Sequence, residues 1–456
     1  MKKTLLVYLP FCTPASPPYS LANLYSFLKT NSKANIDVLD LNLEFHKLKF
    51  PEFQSYYQDI SVWENYETKT TEYNKLSSTC YSENNKKVVK GETPECFAEL
   101  LNKIKSKKPD VVAFSIVYSS QAFYAHALLK ELKEKLPEVK CVVGGPAVNS
   151  KLIELADEHL SNEIELLEYI SGEKVNCNKL NSDYSVDFSV FDLKEYFVPS
   201  PIIPIKTSST CFYKKCAFCS HFTSLPYQEY DLETIKKTII DAKQKNFFLI
   251  DDMIPAKRLL KIAKILKPLN VKWTCQLRPT KDFDLETLRT LYDSGLRMVL
   301  WGVESGNERV LKLMNKGTIK QDVEQVLSDS HKAGIKNVTY IMFGFPTETK
   351  EEFMDTIEFL KRNSKNIDLI SSSVFGLQHN TTIYNNPADY GITSINEEER
   401  TVLEPKITYE VKSGLTQKDA SKLREKYKKT LDSINKYPKS MNYFREHMFC
   451  RVIRDN

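Results

Sequence analysis

The sequence predicts an α/β protein: an N-terminal doubly wound parallel sheet, then a partial (β/α)6 barrel, then a small, mainly helical C-terminal region. Three observations carry this. Short apolar runs alternate with helix-period segments through roughly the first 180 residues, the alternation restarts near residue 202, and beyond residue 380 the patterning is helical. The expected domains are residues 1–180, 181–380 and 381–456, in keeping with a 456-residue chain.

In chain order, residues 4–9 form a short apolar strand. Leu21, Leu24, Tyr25 and Leu28 follow at helical spacing after a proline-rich turn, and residues 36–41 form the next strand. Residues 50–90 are polar, rich in Tyr, Asn, Ser and Lys, and without apolar periodicity; they read as an excursion from the core. Thr93, Pro94 and Glu95 have the composition of a helix start, and Phe97, Leu100, Leu101 and Ile104 give that helix an apolar stripe. Residues 111–117 and 139–143 read as buried strands flanking a helix at 120–135, and the second ends in Gly144-Gly145-Pro146.

The second alternation places strands at 203–207, 247–251, 271–277, 297–301, 338–343 and 369–375. Helices are expected near 231–245, 256–266, 284–294, 319–333 and 349–362. Thr349 followed by Glu351 and Glu352 marks the start of the last of these. Six such units in about 175 residues fall short of a full eight-unit barrel, which takes about 250. In the tail, Thr416 and Asp419 form a capping pair ahead of the stripe Ala420, Leu423, Tyr427, Leu431 and Ile434.

Composition excludes disordered and collagen-like classes: 41% of residues are hydrophobic, 27% are charged, and the net charge is +5. No run approaches the ~18 uninterrupted apolar residues of a membrane helix. The N-terminus has two lysines and a short apolar run but no small-residue cleavage site, so a cytoplasmic protein with no membrane partner is expected. Residues 405–456 carry 13 Lys and Arg against 6 Asp and Glu, or +7, leaving −2 for the rest. An acidic partner and a solvated helix face both account for such a tail; the second is the simpler reading. No nucleic-acid-binding motif accompanies it, so no nucleic-acid partner is expected.

Seven of the ten cysteines stand singly, as Cys12, Cys80, Cys96, Cys141, Cys177, Cys275 and Cys450, and read as small buried hydrophobes. Cys211, Cys216 and Cys219 fall within nine residues, directly after the first strand of the second α/β unit, where parallel α/β folds place their chemistry. Three thiolates in one loop can hold three irons of a 4Fe–4S cube and leave the fourth iron open. The competing reading is zinc with His221 as fourth ligand, though zinc ribbons usually carry two separated ligand pairs. Lys214 and Lys215 make the loop electropositive and exposed, against a purely buried role.

The string Cys211-x4-Cys216-x-Phe218-Cys219 resembles the motif of the radical S-adenosylmethionine enzymes. It departs from their commonest spacing by one extra residue between the first two cysteines. A subset similar to peptide-maturation radical enzymes shares that departure, with an aromatic after the first cysteine as Phe212 and Tyr213 provide. Further matches run in order: Asp187-Phe188-Ser189-Val190-Phe191-Asp192, Ile250-Asp251-Asp252, Trp301-Gly302-Val303-Glu304-Ser305-Gly306 with Arg309, and Gly344-Phe345-Pro346-Thr347-Glu348-Thr349. The N-terminal sheet is similar to the cobalamin-binding domain that precedes the radical domain in a large class of these enzymes.

The resemblance implies that Cys211, Cys216 and Cys219 ligate a 4Fe–4S cluster. Its open iron binds S-adenosylmethionine, and one electron, from a donor such as flavodoxin or ferredoxin, cleaves the sulfonium to a 5′-deoxyadenosyl radical that removes a substrate hydrogen. Phe218 approaches the adenine. Asp251 or Asp252 receives the methionyl ammonium. Glu304, Ser305 and Arg309 lie where ribose and carboxylate contacts gather, and Gly344 belongs to the strand-end string. Gln276 and Arg278 end the third barrel strand toward the same face, where a guanidinium suits a carboxylate. The bland alternatives are that an aspartate caps the next helix, that Arg309 lies on a surface and that Gly344 merely makes a turn.

Cobalamin-binding sheets often offer cobalt a histidine from an Asp-x-His-x-x-Gly string after the first strand. Here residues 10–19 contain none, as in many radical enzymes of this class. Ser115, Gly144 and Gly145 lie at strand ends where the nucleotide tail would be cradled. The resemblance thus implies a radical enzyme performing cobalamin-dependent C-methylation on a peptide or small-molecule substrate. The alternatives are cobalamin-independent epimerisation, bond formation or rearrangement, and a non-catalytic cobalamin- or zinc-binding module.

Overall fold

The structure is a computed structural model and describes residues 2–177, 180–220 and 226–455. The chain forms two compact units. The first comprises Met1–Pro204 with Lys237–Lys243 and Glu399–Pro405; the second comprises Ile205–Lys236, Gln244–Glu398 and Lys406–Asn456.

The first unit is built on β1 (Lys3–Tyr8), β2 (Asn35–Asp40), β3 (Val111–Ser115), β4 (Lys140–Gly144) and β5 (Glu158–His159), in the order β2-β1-β3-β4-β5 and parallel throughout. β1 and β3 are buried along nearly their whole length, as central strands covered on both faces must be. Strand order reverses between β1 and β3, and at such a switch point the loops leaving the two strands diverge and open a crevice. Leu6, Leu21, Phe27, Leu28, Val111, Val142, Leu166 and Ile170 form one face of the core.

Two expectations need correction here. Residues 50–90 are no excursion: helices Pro51–Gln58 and Tyr66–Val89 pack into the unit. The buried face of the longer helix runs Tyr66, Thr70, Tyr73, Ser77, Cys80, Asn84 and Val88, at regular helical spacing. Polar side chains fill half of that stripe, so apolar periodicity could not mark it. The following helix begins only at Phe97 rather than around Pro94. The intervening turn is tied back, because Glu95 donates its backbone N–H to Asn84 at 2.9 Å.

A six-stranded sheet, whose first strand ends where the second unit begins, is formed by β6 (Ile202–Ile205), β7 (Asn246–Leu249), β8 (Lys272–Leu277), β9 (Leu296–Glu304), β10 (Lys336–Phe343) and β11 (Leu369–Val374), in strict chain order. β7 to β11 pair in parallel. A helix follows each of β6 to β10, so the strand ends gather their loops on one face, the open mouth of a six-stranded partial barrel. The C-terminal region is mainly helical, with Gln417–Lys426, Lys428–Asp432 and Arg445–Asp455. It also contains an antiparallel hairpin of β12 (Ile392–Glu398) and β13 (Lys406–Val411) that sequence reading left out. Thr416 caps its helix as expected, accepting from the Asp419 backbone at 3.1 Å. Among the described residues no helix is long and apolar enough to cross a membrane.

Candidate active site

The cysteine loop grows out of β6, and its root is held by Asp251 from the end of β7. The buried Asp251 carboxylate accepts from the Thr207 backbone at 2.9 and 3.0 Å, from the Thr207 hydroxyl at 3.1 Å and from Ser208 at 2.7 Å. Burial pushes its pKa up and these donors pull it back. Asp251 thus spends its acceptor capacity on the loop, while the neighbouring Asp252 is only half-buried. Neither caps the next helix, Ala256–Leu266, which starts after Pro255.

Cys211, Cys216 and Cys219 form no disulfide and have intermediate exposure, whereas Cys80, Cys141, Cys275 and Cys450 are buried as expected. Cys12 and Cys96 are only partly covered and Cys177 is exposed, which corrects the buried reading for these three. The Cys219 backbone donates to the Cys216 carbonyl at 3.2 Å, curling the end of the motif. Among the described residues, no three His, Cys, Asp or Glu side chains converge on a single metal ion. A cube takes each thiolate on a different iron and spaces the sulfurs more widely than one ion does. His221, the ligand zinc would need, lies outside the described residues.

Met314 to Gly317 support the loop from below. The Ala217 N–H donates to the Met314 carbonyl at 2.9 Å, and the Tyr213 hydroxyl donates to the Asn315 carbonyl at 2.9 Å. The Lys316 ammonium lies 2.8 Å from the Glu304 carboxylate and 5.7 Å from the centre of the Phe218 ring. Both members of the ion pair are buried. Gly302 makes room for them: a Cβ there would lie 2.8 Å from Lys316 Nζ and 3.0 Å from Glu304 Oε1. Glu304 closes β9 in the left-handed region, at φ 66°. Sequence reading missed Lys316. The available signal was turn chemistry: Asn315 and Gly317, at φ 51° and 66°, bracket it.

Arg278, beyond the end of β8, donates to the Lys316 carbonyl at 3.0 Å and stacks 3.7 Å from the Tyr213 ring centre. Burial raises the Cys216 thiol pKa, and the nearby Lys316 and Arg278 charges oppose that rise. Gln276 is half-buried on β8. The buried polar atoms Thr210 Oγ1, Arg278 Nε and Thr318 Oγ1 have no hydrogen-bond partner. Orphans of that kind, on segments flanking three partly exposed thiols, fit a site that takes a polar cofactor.

Ser305 and Arg309 are tied to the protein itself. Ser305 is fully buried, with its hydroxyl 3.2 Å from Thr356 and accepting from Asn307 N–H at 3.1 Å. Arg309 forms a fork with Glu352 and donates to the Thr347 carbonyl at 2.8 Å. It thereby clamps the strand-end string after β10 to the helix that follows β9. Gly344, at φ 72°, donates its N–H to Glu348, whose other carboxylate oxygen is buried without a partner. A Cβ at Gly344 would lie 2.5 Å from that of Ala420.

In the first unit, Ser115 ends β3 at the switch point and its hydroxyl donates to the Ser20 hydroxyl at 2.8 Å. A Cβ on Gly144 would lie 2.8 Å from the Leu160 carbonyl oxygen, and one on Gly145 would lie 2.3 Å from that of Ile116. The glycine pair is therefore already needed by the chain's own close packing. Behind the histidine-free loop, His46 is boxed by Phe11, Phe45, Phe50 and Phe197 and bonds Tyr73 at 2.8 Å. Burial lowers its pKa to about 3, so it is a neutral core histidine. A switch point of this kind is where parallel α/β sheets generally take nucleotide-bearing ligands.

Residues 205–360 match the radical SAM superfamily, and residues 87–158 match the B12 binding domain. A bacteriochlorophyllide d C-12(1)-methyltransferase of Chlorobaculum tepidum is 27% identical over 221 residues, 46% of this chain and 48% of that protein. The bacteriochlorophyllide d C-8(2)-methyltransferase of the same organism is 27% identical over 178 residues, 35% of this chain and 39% of that protein. The chain thus spans half the length or less of these two curated relatives. Among solved structures, the cobalamin-dependent S-adenosylmethionine radical enzyme OxsB superposes with a TM-score of 0.63 at 16% identity, covering 95% of this chain and 67% of that one. The radical S-adenosylmethionine methyltransferase TsrM of Kitasatospora setae gives 0.58 at 15%, covering 89% and 80%. At such identities the likeness is one of fold.

Proposed function

We propose that this chain, a radical SAM superfamily enzyme joined to a cobalamin-binding domain, carries out cobalamin-dependent C-methylation of a peptide or other natural product. The observation that carries the reading is the cysteine loop at the barrel mouth, stitched on both sides of Cys216 to the segment that presents Lys316 to Glu304. Cys211, Cys216 and Cys219 would hold a 4Fe–4S cluster, which supplies one electron and an open iron for the amino and carboxylate groups of S-adenosylmethionine.

Around that position the chain's residues bind and orient. Glu304 offers a carboxylate to ribose hydroxyls or to the methionyl ammonium. Phe218 offers a ring to the adenine. Gln276 and Asp252, both half-buried, offer further hydrogen bonds at the strand ends. Asp251, Ser305 and Arg309 shape the site by fixing its loops. Ser115 and the loop after β1 form the crevice for cobalamin, and a flavodoxin or ferredoxin would deliver the electron. The names of the methyltransferase relatives and of the two cobalamin- and S-adenosylmethionine-using structural neighbours support the reading.

Product analysis tests it. Corrinoid-dependent methylation consumes S-adenosylmethionine in two ways, giving S-adenosylhomocysteine when the corrinoid is methylated and 5′-deoxyadenosine when the substrate is activated. The anaerobically reconstituted protein, given hydroxocobalamin, a reductant and a panel of peptides, should form both. Formation of 5′-deoxyadenosine alone, unchanged by corrinoid, would replace methylation with epimerisation, bond formation or rearrangement.

A further inference from the structure

A buried charge is costly unless it is paired or fully hydrogen-bonded, and at the barrel mouth Arg278 is neither. Lys316 is neutralised by Glu304. Arg278 is only 9% exposed, and among the described residues no carboxylate lies within ion-pair distance of its guanidinium. Its hydrogen bond goes to a neutral carbonyl, that of Lys316, and its Nε is buried without a partner. Glu304, Lys316 and Arg278 together therefore carry one uncompensated positive charge. Such an arrangement is costly unless an anion completes it.

The geometry points to where that anion lies. The guanidinium is stacked 3.7 Å from the centre of Tyr213 and 5.9 Å from that of Phe212, both between Cys211 and Cys216. Gly317 closes the stack, since a Cβ there would lie 2.3 Å from the Tyr213 hydroxyl and 2.9 Å from Arg278 Nη1. Arg278 is thus locked to the cysteine loop by a flat aromatic contact that only a planar cation makes well. A cube held by three thiolates is a net anion, and reduction adds one more negative charge.

Resting on the functional reading above, we propose that Arg278 is the fixed counter-charge of the iron–sulfur cluster, which eases its reduction, and not the partner of a ligand carboxylate. The charge acts through the field it sets at the thiolates, and a cation held beside a cluster stabilises the reduced form more than the oxidised one.

The test is a redox titration, followed by electron paramagnetic resonance, on the anaerobically reconstituted full chain without S-adenosylmethionine. Wild type, Arg278→Gln and Arg278→Lys are compared, with iron content and S-adenosylmethionine affinity measured alongside. Arg278→Gln is expected to make the cluster about tenfold harder to reduce, a fall of about 59 mV for a one-electron couple, with S-adenosylmethionine affinity within about threefold of wild type. Arg278→Lys keeps the charge and should keep both the potential and the affinity. An unchanged potential in Arg278→Gln overturns the proposal. If that variant takes up no iron, Arg278→Lys decides: tenfold weaker S-adenosylmethionine binding at an unchanged potential would assign the fork to a ligand carboxylate and overturn the proposal. Zinc in place of iron in the wild-type protein is a different failure, because it removes the functional reading on which the inference stands.

Discussion

On the proposed function Glu304 is the carboxylate that meets S-adenosylmethionine, and it is held in an unusual way. It ends a strand at positive φ and buries its charge against Lys316. A charge-assisted hydrogen bond to ligand is worth about 1.5–3 kcal/mol, so Glu304→Gln should weaken S-adenosylmethionine binding roughly ten- to a hundredfold while iron content stays the same. The same change strands Lys316 in the interior, and breaking a buried pair costs about 3–5 kcal/mol; the variant should melt earlier. Glu304→Gln with Lys316→Met separates the two effects. The double variant should regain thermal stability but not affinity. Wild-type affinity in the double variant would reduce Glu304 to a structural residue. Glu348 makes a second prediction. It is buried with one unpartnered oxygen, and burial pushes its carboxyl from the ordinary 4.5 up to about 8. A carboxyl raised on folding binds its proton more tightly in the native state, so its contribution is full below pH 4.5 and is lost as pH rises to about 8. Thermal melts across that window should show a downward slope that Glu348→Gln flattens; an equal slope in both proteins would refute the assignment. The cysteines and Glu304 could be proposed from sequence because each lies in a short string that resembles a family motif. The roles of Lys316 and Glu348 were not legible, because only the fold reveals that their charges are buried.

At the scale of the element, the loops after β6 and β10 behave as built parts. Replacing Cys211, Cys216 or Cys219 with Ala should abolish both the cluster's absorption and 5′-deoxyadenosine formation, while Cys275→Ala and Cys141→Ala, in the core of the two sheets, should keep both. Absorption spectra and product assays check this, and a cluster retained in any of the first three variants would remove that cysteine from the ligand set. Gly344 holds a left-handed turn against helix Gln417–Lys426. Gly344→Ala should cost roughly 1–2 kcal/mol for the backbone alone plus the clash with Ala420. Adding Ala420→Gly should return part of the loss in a thermal melt; no recovery would mean that the contact is unimportant. The barrel strands could be read because their apolar runs are continuous, as in any sheet covered on both faces. Helix Tyr66–Val89 could not, since Thr70, Ser77 and Asn84 hide its buried stripe. The β12–β13 hairpin escaped notice because its residues are largely exposed and polar.

For the whole molecule, the parallel sheets and their order of appearance followed from alternation, but the strand order β2-β1-β3-β4-β5 did not, since pairing is set by packing between distant segments. On the proposed function that order would place cobalamin beside Ser115, at the switch point of the sheet. With His46 sealed in aromatic packing, the cob(II)alamin state of the full chain should show no nitrogen superhyperfine splitting from a histidine beneath the cobalt. A histidine-ligated spectrum, or no corrinoid binding, would contradict the role assigned to this unit. On the proposed function, the three-cysteine loop makes the second unit a radical enzyme. The most direct test is anaerobic purification and reconstitution, followed by metal analysis and an assay for 5′-deoxyadenosine from S-adenosylmethionine under reducing conditions. Iron and sulfide at cluster stoichiometry and reductant-dependent formation of 5′-deoxyadenosine are expected. Stoichiometric zinc without iron, and no cleavage of S-adenosylmethionine, would contradict the proposed function.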